Sequence, residues 1–474
     1  NVERIETTEG EFKITVPPRH QSYSELNKPT VDGKKEPKTE LTNYLIKTIK
    51  GHGPMSVAHY MRDCLFHPDY GYYSTQDNIF GEKGDFITAP EVSHLFGEML
   101  GLWCYSEWGR FGCPDHITFV EVGPGKGTLM HDVLKTINQF KPISKVKKRA
   151  VLVEKSEKLQ KVQKEKLHVA STFHAVTGKE EKILSHGRTE IHWHNEVHPT
   201  MFKEGSSLYD PKYEKGMVII LGNEIFDALP VHQFQLTEKG WCEVMVDVNE
   251  SDDSEEHFKF VLSPGSTQNV FFAWMKEKMS TDVNRIEICP SAMQMVDAVQ
   301  DVFGMFSEGG TSLFADYGYD RSLENHGYED QFTLRGIKNH EIVHPLSRPG
   351  QVDLSAFVDF GILADRVSRR QLIHQTNINN PSGAADMIGS IFSNQPSNHV
   401  STHVFPILSQ EHFLQRMGFD GRFLRLVMNR QFVDDEHADH LMSVYSTLIH
   451  DMGHPFKFQC YSTKPKATGF FTYM

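Results

Sequence analysis

The chain has 474 residues, 39% of them hydrophobic and 23% charged, which is the composition of a globular protein rather than a disordered or fibrous one. Its 49 Lys and Arg against 62 Asp and Glu give a net charge of −13, which argues against a protein that mainly binds nucleic acid or an anionic membrane. No apolar stretch of about 18 residues occurs, so the sequence predicts no transmembrane helix.

The first 112 residues fall into two predicted segments. Residues 1–38 are polar and aperiodic, so we expect a mobile leader. The chain starts at Asn1 rather than Met, from which we expect a processed or truncated form whose targeting peptide is already removed. Residues 39–112 carry apolar side chains at helical spacing, beginning with Leu41, Leu45 and Ile49, and are predicted to form an N-terminal helical cap.

Within this cap, residues 88–91 carry the pattern of a helix start. Thr88 with Glu91 three residues later predicts a capping box, and Pro90 suits a first helical turn. The helix that follows has an apolar face ending near Trp103. Its Gly97 and Gly101 lie one turn apart and predict close packing by a neighbouring element.

Residues 113–330 alternate between short β-branched runs and helical segments. This alternation predicts a parallel sheet with right-handed crossovers, an α/β fold of the Rossmann-like kind. A hairpin is predicted as an insertion at about 235–265, with an acidic, solvated tip. Residues 331–474 are predicted as a C-terminal elaboration that completes the core, and they include a polar loop at about 376–403. The predicted strands are 117–122, 150–153, 191–194, 217–221 and 311–315.

The strongest local signal is a glycine loop between the first predicted strand and its helix. Gly123, Gly125 and Gly127 alternate with other residues, and glycine is required where the backbone turns sharply or approaches a ligand. The spacing matches neither the dinucleotide fingerprint nor the phosphate-binding P-loop. A ligand loop and a tight structural turn both remain open from this pattern alone.

Two acids extend this signal. Glu121 lies near the tip of the first strand, where it can accept hydrogen bonds from the amino group of a ligand. Glu154 lies at the tip of the second strand, where a carboxylate can accept both hydroxyls of a ribose. The predicted site has two acids and no basic residues to bind a pyrophosphate. It therefore favours S-adenosyl-L-methionine over NAD, because S-adenosyl-L-methionine carries a sulfonium and an ammonium instead of a pyrophosphate. The alternative for Glu154 is an exposed strand-end carboxylate.

A third polar cluster follows the fourth predicted strand. Asn223, Glu224 and Asp227 lie there, at the edge of an open α/β sheet where ligands bind. Carboxylates at this place suit a cationic methyl acceptor such as a guanidinium, which they can orient and relieve of a proton. The alternative is that Asn223 and Asp227 cap a following helix.

Two weaker candidates complete the list. Asp316 follows the fifth predicted strand and either lines the same crevice or belongs to a structural turn. His192 and His194 share one face of a predicted strand, close to His198, but no acid or cysteine completes a ligand set. We therefore predict no metal site.

Taken in order, these motifs resemble the mitochondrial complex I assembly factor 7 (MidA) family of S-adenosylmethionine-dependent protein arginine methyltransferases. The resemblance covers about residues 40–470. The matching segments are GPMSVA at 53–58, HPDYGYY at 67–73, GDFITAPE at 84–91, EVGPG at 121–125, NEIFDALP at 223–230, RPGQVDL at 348–354 and VDF at 358–360.

The resemblance implies a class I methyltransferase fold and cofactor binding by Gly123, Gly125 and Glu154. It also implies symmetric dimethylation of an arginine in a matrix-arm iron–sulfur subunit of respiratory complex I, in the mitochondrial matrix. We expect Glu224 and Asp227 to hold the guanidinium, with Asp85 and Glu91 of the cap assisting. Two alternatives remain: an assembly chaperone that binds S-adenosylmethionine without catalysis, and a small-molecule methyltransferase with a cationic acceptor. The oligomeric state is not predicted.

Overall fold

The computed structural model describes most of the chain, in two compact units. The predicted leader, Asp85 and most of the polar loop lie outside the described residues. The small-sheet unit comprises the described parts of 1–87, 226–292 and 321–358, and the large-sheet unit those of 88–225, 293–320 and 359–474. The structure describes residues 37–75, 88–167, 170–173, 180–185, 189–250, 256–267, 269, 272, 283–320, 332–379, 400–428 and 435–470.

The described chain contains both helices and strands. The helices are α1 Glu40–His52, α2 Val57–Phe66, α3 Tyr72–Thr75, α4 Ala89–Val92, α5 His94–Arg110, α6 Thr128–Ile137, α7 Lys141–Ser144, α8 Glu157–Lys166, α9 Pro290–Phe303, α10 Phe360–Asn379, α11 Gln410–Arg416, α12 Phe419–Val427 and α13 Asp435–Tyr445. The strands are β1 Met55–Ser56, β2 His116–Val122, β3 Lys147–Val153, β4 Ala170–Phe173, β5 Glu180–Ser185, β6 Thr189–His194, β7 Met217–Asn223, β8 His232–Thr237, β9 Gly240–Val248, β10 Phe258–Leu262, β11 Arg285–Ile288, β12 Gly310–Tyr319, β13 Arg335–Lys338, β14 Glu341–Val343, β15 Asp353–Ser355, β16 Val358–Asp359, β17 His403–Val404, β18 Leu408–Ser409 and β19 Phe456–Ser462.

The large-sheet unit is built on the predicted parallel sheet. Its strand order is β17-β19-β12-β7-β2-β3-β6-β5-β4, and β18 pairs with β19. The five predicted strands correspond to β2, β3, β6, β7 and β12, which pair in parallel with their neighbours within this group. The chain continues from β2 to β3 on one side, whereas β7 lies on the other. The edge where β2 and β7 end is therefore a topological switch point, where open α/β sheets bind ligands.

Strand β12 is longer than predicted. The sequence predicted an end at Ala315, but the strand continues to Tyr319. The reason is its antiparallel partner β19, which pairs with β12 as far as Tyr317 opposite Phe456. Asp316 therefore lies inside a strand rather than in a turn.

Helices α5 and α6 pack closely through the two glycines singled out in the sequence. A Cβ on Gly97 would lie 2.5 Å from the Cβ of Asp132, and one on Gly101 would lie 2.7 Å from the Cβ of Thr136. The predicted apolar face of α5, through Trp103, is buried in the core of this unit. The close-packing prediction is confirmed.

The small-sheet unit contains two antiparallel sheets and its own core. One sheet has the order β1-β9-β8-β11 with β10 on β9, and the other has the order β14-β13-β15. Residues 244–248 and 258–262 pair antiparallel, as the predicted hairpin requires, whereas residues 251–255 of its tip lie outside the described chain. Leu41, Leu45 and Ile49 of α1 are buried in this core.

The residues predicted as one helical cap contribute to both units: α1 to α3 belong to the small-sheet unit, and α4 and α5 to the large-sheet unit. The predicted domain boundaries stay predictions. None of the helices in the described ranges is both long and apolar enough to cross a membrane.

Candidate active site

The glycine loop, residues 123–127, connects β2 to α6 in a conformation that requires glycine. The φ angles of Gly123, Gly125 and Gly127 are 64°, 51° and 81°, in the left-handed region that side chains rarely adopt. A Cβ on Gly123 would lie 2.7 Å from the Cγ2 of Ile225, the second residue after β7. The loop is therefore packed tightly beside the end of β7.

Glu121 lies one residue before the end of β2 and is almost fully buried, with 3% of its surface exposed. Its carboxylate accepts a hydrogen bond from the backbone N–H of Met130, in the first turn of α6. No described residue hydrogen-bonds to its other oxygen, Oε2. Burial raises the pKa of Glu121 to about 8. A buried carboxylate oxygen without a donor is costly, so this atom fits a ligand that brings a donor or a positive charge.

Glu154 follows β3 and is linked to the glycine loop through Gln163. Its Oε1 accepts from the Ser156 backbone N–H at 2.8 Å, its Oε2 lies 3.4 Å from the Gln163 Nε2, and burial raises its pKa. The same Gln163 Nε2 donates to the carbonyl of Gly125 at 2.8 Å, while its Oε1 accepts from the Trp193 indole at 2.8 Å. Gln163 thus connects the loop, the tip of β3 and β6.

The sequence did not predict Gln163 as a site residue, because the segment that forms α8 is rich in Lys and Glu. A signal was available: Leu159, Gln163 and Leu167 follow one another at a spacing of four. This spacing places Gln163 on the apolar face of the helix, and it is fully buried there. A glutamine on such a face requires polar partners, which the glycine loop and Trp193 provide.

The end of β7 brings Asn223 and Glu224 to the same edge of the sheet. Glu224 has a φ of 51°, a left-handed conformation that is strained for a glutamate, and its N–H donates to the Ala315 carbonyl at 2.8 Å. Its Oε1 accepts from the Ala89 N–H at 3.2 Å and from the Asn223 amide at 3.0 Å. Such strain concentrates at functional sites. The role of Glu224 stays a prediction.

The alternative that Asn223 and Asp227 cap a helix is wrong. Residues 224–231 form turns and lead directly to β8. Asn223 is the last residue of β7, and the left-handed conformation of Glu224 reverses the chain at the point where a helix would start.

Asp316 is fully buried in β12, and both of its oxygens accept backbone hydrogen bonds. Oδ2 accepts from Ile225 N–H at 3.0 Å, and Oδ1 accepts from Tyr317 N–H at 2.8 Å. Because Ile225 packs against Gly123, Asp316 holds the segment that lies beside the glycine loop.

Glu91 does not complete the predicted capping box. Thr88 makes no side-chain cap, and α4 ends after four residues, at Val92. Ser93 caps the next helix, α5, by accepting from the Leu95 N–H at 3.2 Å. The carboxylate of Glu91 instead accepts from the Thr128 hydroxyl at 2.5 Å and lies 3.6 Å from the Lys126 ammonium. The positive charge of Lys126 and the amino end of α6 attract it more strongly than an isolated turn does.

Asp227 belongs to the small-sheet unit, whereas Glu224 belongs to the large-sheet unit. Its Oδ2 accepts from the Ser355 hydroxyl at 3.0 Å, and the Arg335 guanidinium attracts its charge. Burial nevertheless raises the pKa of Asp227 above its usual value.

Two histidines of the predicted cluster, one in β6 and one after it, have local partners. His194 Nδ1 lies 2.8 Å from the Glu196 carbonyl, and His198 Nδ1 lies 2.7 Å from the Thr200 hydroxyl. In the described part of the chain, no group of three or more His, Cys, Asp or Glu side chains is arranged to hold a metal ion.

The comparisons with known proteins agree with this geometry. A family model described as “Putative S-adenosyl-L-methionine-dependent methyltransferase” matches residues 99–376. The mouse protein named protein arginine methyltransferase NDUFAF7, mitochondrial, is 36% identical over 73% of this chain and 73% of its own length. The Caenorhabditis elegans protein named as its homologue is 30% identical over 95% of this chain and 92% of its own. A crystal structure from Burkholderia thailandensis, bound to S-adenosyl-homocysteine, is 21% identical, with a TM-score of 0.64 over 91% of this chain and 94% of that chain.

The parallel sheet with its glycine loop is the fold of class I S-adenosylmethionine-dependent methyltransferases. The chain belongs to this family of enzymes, together with the curated mitochondrial relatives named as protein arginine methyltransferases. S-adenosylmethionine is therefore its cofactor. The left-handed glycine loop and the buried Oε2 of Glu121 fit that molecule.

Proposed function

We propose that this chain is a protein arginine N-methyltransferase of the mitochondrial matrix and an assembly factor of respiratory complex I. Its substrate in this proposal is an arginine of a matrix-arm iron–sulfur subunit, which becomes symmetrically dimethylated. The names of the curated relatives support the arginine specificity and the mitochondrial location. Within the molecule, one observation carries the proposal. The glycine loop follows β2, and the strained Glu224 follows β7, which is the neighbour of β2 in the same sheet.

The cofactor is held in this proposal by the glycine loop, Glu121 and Glu154. Bound there, it supplies a methyl group on a positively charged sulfur, which a nitrogen nucleophile can accept. The Oε2 of Glu121 would accept a hydrogen bond from the ammonium of the cofactor's amino acid portion, and Glu154 would accept from the ribose hydroxyls. Gln163 keeps Glu154 and the carbonyl of Gly125 in place.

Glu224 is the acid that we assign to the substrate guanidinium. Its backbone is held by Ala315, and its Oε1 by Ala89 and Asn223, so the carboxylate is oriented before substrate arrives. A guanidinium is always charged in water and must lose a proton when its nitrogen is methylated. The Glu224 carboxylate orients the guanidinium by hydrogen bonds and accepts this proton. Asn223 positions Glu224, and Asp316 holds the segment after it. The catalytic role of Asp227 stays a prediction.

The test is methyl transfer from labelled S-adenosylmethionine into a mitochondrial extract, followed by mass spectrometry of methylated peptides. We expect label on an arginine of a complex I subunit. The E224Q variant should bind S-adenosyl-homocysteine with unchanged affinity and lose roughly 100-fold or more in transfer rate. The exposed Glu165 provides a matched control, E165Q, which should behave as the wild type.

The other outcomes separate the alternatives. Cofactor binding without any transfer would favour the assembly chaperone. Label found only on small metabolites would favour a small-molecule methyltransferase with a cationic acceptor. Label on an arginine outside complex I would retain the activity and overturn the proposed substrate.

A further inference from the structure

Residues 88–91 of the large-sheet unit contact two places: the junction of the glycine loop with α6, and the proposed catalytic acid Glu224. Glu91 bonds to Thr128 at 2.5 Å and lies 3.6 Å from Lys126, on the side of the glycine loop. Ala89, two residues earlier, donates its N–H to Glu224 at 3.2 Å. One short segment therefore connects the loop at one end and the proposed catalytic acid at the other.

The glycine loop depends on such outside support. Gly127 is the N-cap of α6 and has no side chain with which to close the helix start. All three loop glycines have positive φ, and glycine loses more conformational entropy on ordering than any other residue. Gln163 holds one side of the loop through the Gly125 carbonyl. Elsewhere around the loop, Ile225 packs against Gly123, and Glu91 contacts Thr128 and Lys126.

The electrostatics of this contact favour a role toward the cofactor rather than the substrate. Both oxygens of Glu91 are directed at groups of the glycine loop or the first residue of α6. A negative charge at the amino end of a helix is stabilised by the helix dipole, and Lys126 adds a positive charge. A carboxylate satisfied in this way has less to offer a substrate guanidinium.

We propose that Glu91 is a positioning residue that holds the glycine loop in its cofactor-binding conformation, acting through Thr128 and Lys126. It sets the affinity for the cofactor and does not bind the substrate. Through Ala89, the same segment fixes the carboxylate of Glu224, so the loop and the catalytic acid share one support. This inference rests on the proposed binding of S-adenosylmethionine at the loop.

The experiment measures S-adenosyl-homocysteine binding to the full chain by calorimetry. Glu91→Ala and Thr128→Val each remove the hydrogen bond, and each should weaken binding by roughly tenfold. Because Thr128→Val removes one of the two contacts that Glu91→Ala removes, the double variant should bind at most about twofold more weakly than Glu91→Ala alone. Thr128→Ser keeps the hydroxyl and should stay within about threefold of the wild type, whereas Glu91→Gln keeps an acceptor oxygen but loses the charge toward Lys126 and should bind between the wild type and Glu91→Ala.

Two readouts separate positioning from a general loss of structure. The unfolding midpoint without cofactor should be nearly equal for Thr128→Val and Thr128→Ser, although only the former loses affinity. In the transfer assay, Glu91→Ala should raise the KM for S-adenosylmethionine and leave the KM for the protein substrate unchanged.

Each contrary result overturns the assignment. Wild-type affinity in Glu91→Ala or in Thr128→Val would exclude the positioning role. A higher KM for the protein substrate alone would make Glu91 a substrate ligand. Additive losses in the double variant would show that the two side chains act separately. If the wild type itself failed to bind S-adenosyl-homocysteine, the proposed function would fail rather than the role of Glu91.

Discussion

Two buried glutamates, one in each unit, lie in similar local sequences but differ in their hydrogen-bond partners. Glu121 lies in Val-Glu-Val at the end of β2, and Glu287 lies in Ile-Glu-Ile of β11. Glu287 accepts four hydrogen bonds, from the Gln233 amide at 2.7 Å, the Thr333 N–H at 2.8 Å, the Thr333 hydroxyl at 2.5 Å and the Leu334 N–H at 3.3 Å. Glu121 accepts from Met130 and leaves Oε2 without a partner among the described residues.

The difference distinguishes a structural acid from a binding one. Burial raises the pKa of both carboxyl groups. The donors around Glu287 offset that cost from within the chain, so this residue joins β8, β11 and the segment at 333–334 of the small-sheet unit. At Glu121, no described residue donates to Oε2, so the cost of burying this oxygen is not offset within the described chain. A ligand that donates a hydrogen bond to Oε2 would therefore gain binding free energy.

The largest expected effect is at the glycine loop beside Glu121. Gly125→Val should weaken S-adenosyl-homocysteine binding by at least roughly 100-fold, because a β-branched residue is strained at a φ of 51° and obstructs the backbone approach. Calorimetry measures the affinity. Gly265→Val is the matched control, since a Cβ at that exposed position meets no atom within 4 Å, and it should bind normally. Normal binding by Gly125→Val would contradict the loop assignment.

Removing the structural acid should affect stability instead. Glu287→Ala leaves four donors, two of them in buried hydrogen bonds, without an acceptor and should lower the free energy of unfolding by about 3 kcal/mol. Urea denaturation at neutral pH measures this loss. We expect the variant, below its unfolding transition, to bind S-adenosyl-homocysteine as the wild type does. A loss below about 1 kcal/mol would show that Glu287 does not anchor its unit.

The binding acid should show the opposite behaviour. Glu121→Gln removes a carboxyl group whose Oε2 meets no described partner, so at about pH 5, where the folded chain holds this group neutral, we expect the free energy of unfolding without cofactor to change by less than about 1 kcal/mol. Its affinity for S-adenosyl-homocysteine should fall by roughly tenfold, because a neutral amide attracts an ammonium less than a carboxylate does. Unchanged affinity together with lower stability would make Glu121 a structural residue like Glu287.

The last prediction concerns how the free energy of unfolding changes with pH. Burial raises the pKa of Glu121 from its ordinary value near 4.5 to about 8. The folded chain then holds a proton that the unfolded chain has released, so this residue's contribution to stability falls as the pH rises from about 5 to 8. The unfolding free energy of Glu121→Gln should therefore decline less over this range than that of the wild type. Parallel curves would exclude a raised pKa.

The sequence anticipated the large sheet well because its signals are local. Runs of buried β-branched residues identified β2, β3, β6, β7 and β12, and three alternate glycines identified the loop. The errors occur where a distant partner decides. Thr88 and Glu91 have the spacing of a capping box, but Glu91 finds Thr128, 37 residues away. Strand β12 passes its predicted end because β19, more than 130 residues later, pairs with it.

By itself, the sequence determined the alternation of strands and helices, the place of the glycine loop and the acids near the strand ends, since these depend on period and on backbone freedom. Only the tertiary structure decided which acids are satisfied from within. Glu287 meets donors from two other segments, at 233 and at 333–334, whereas Glu121 meets one described donor and keeps an oxygen for a ligand. The number of partners around a buried charge depends on elements far apart in the chain, and no local pattern contains that number.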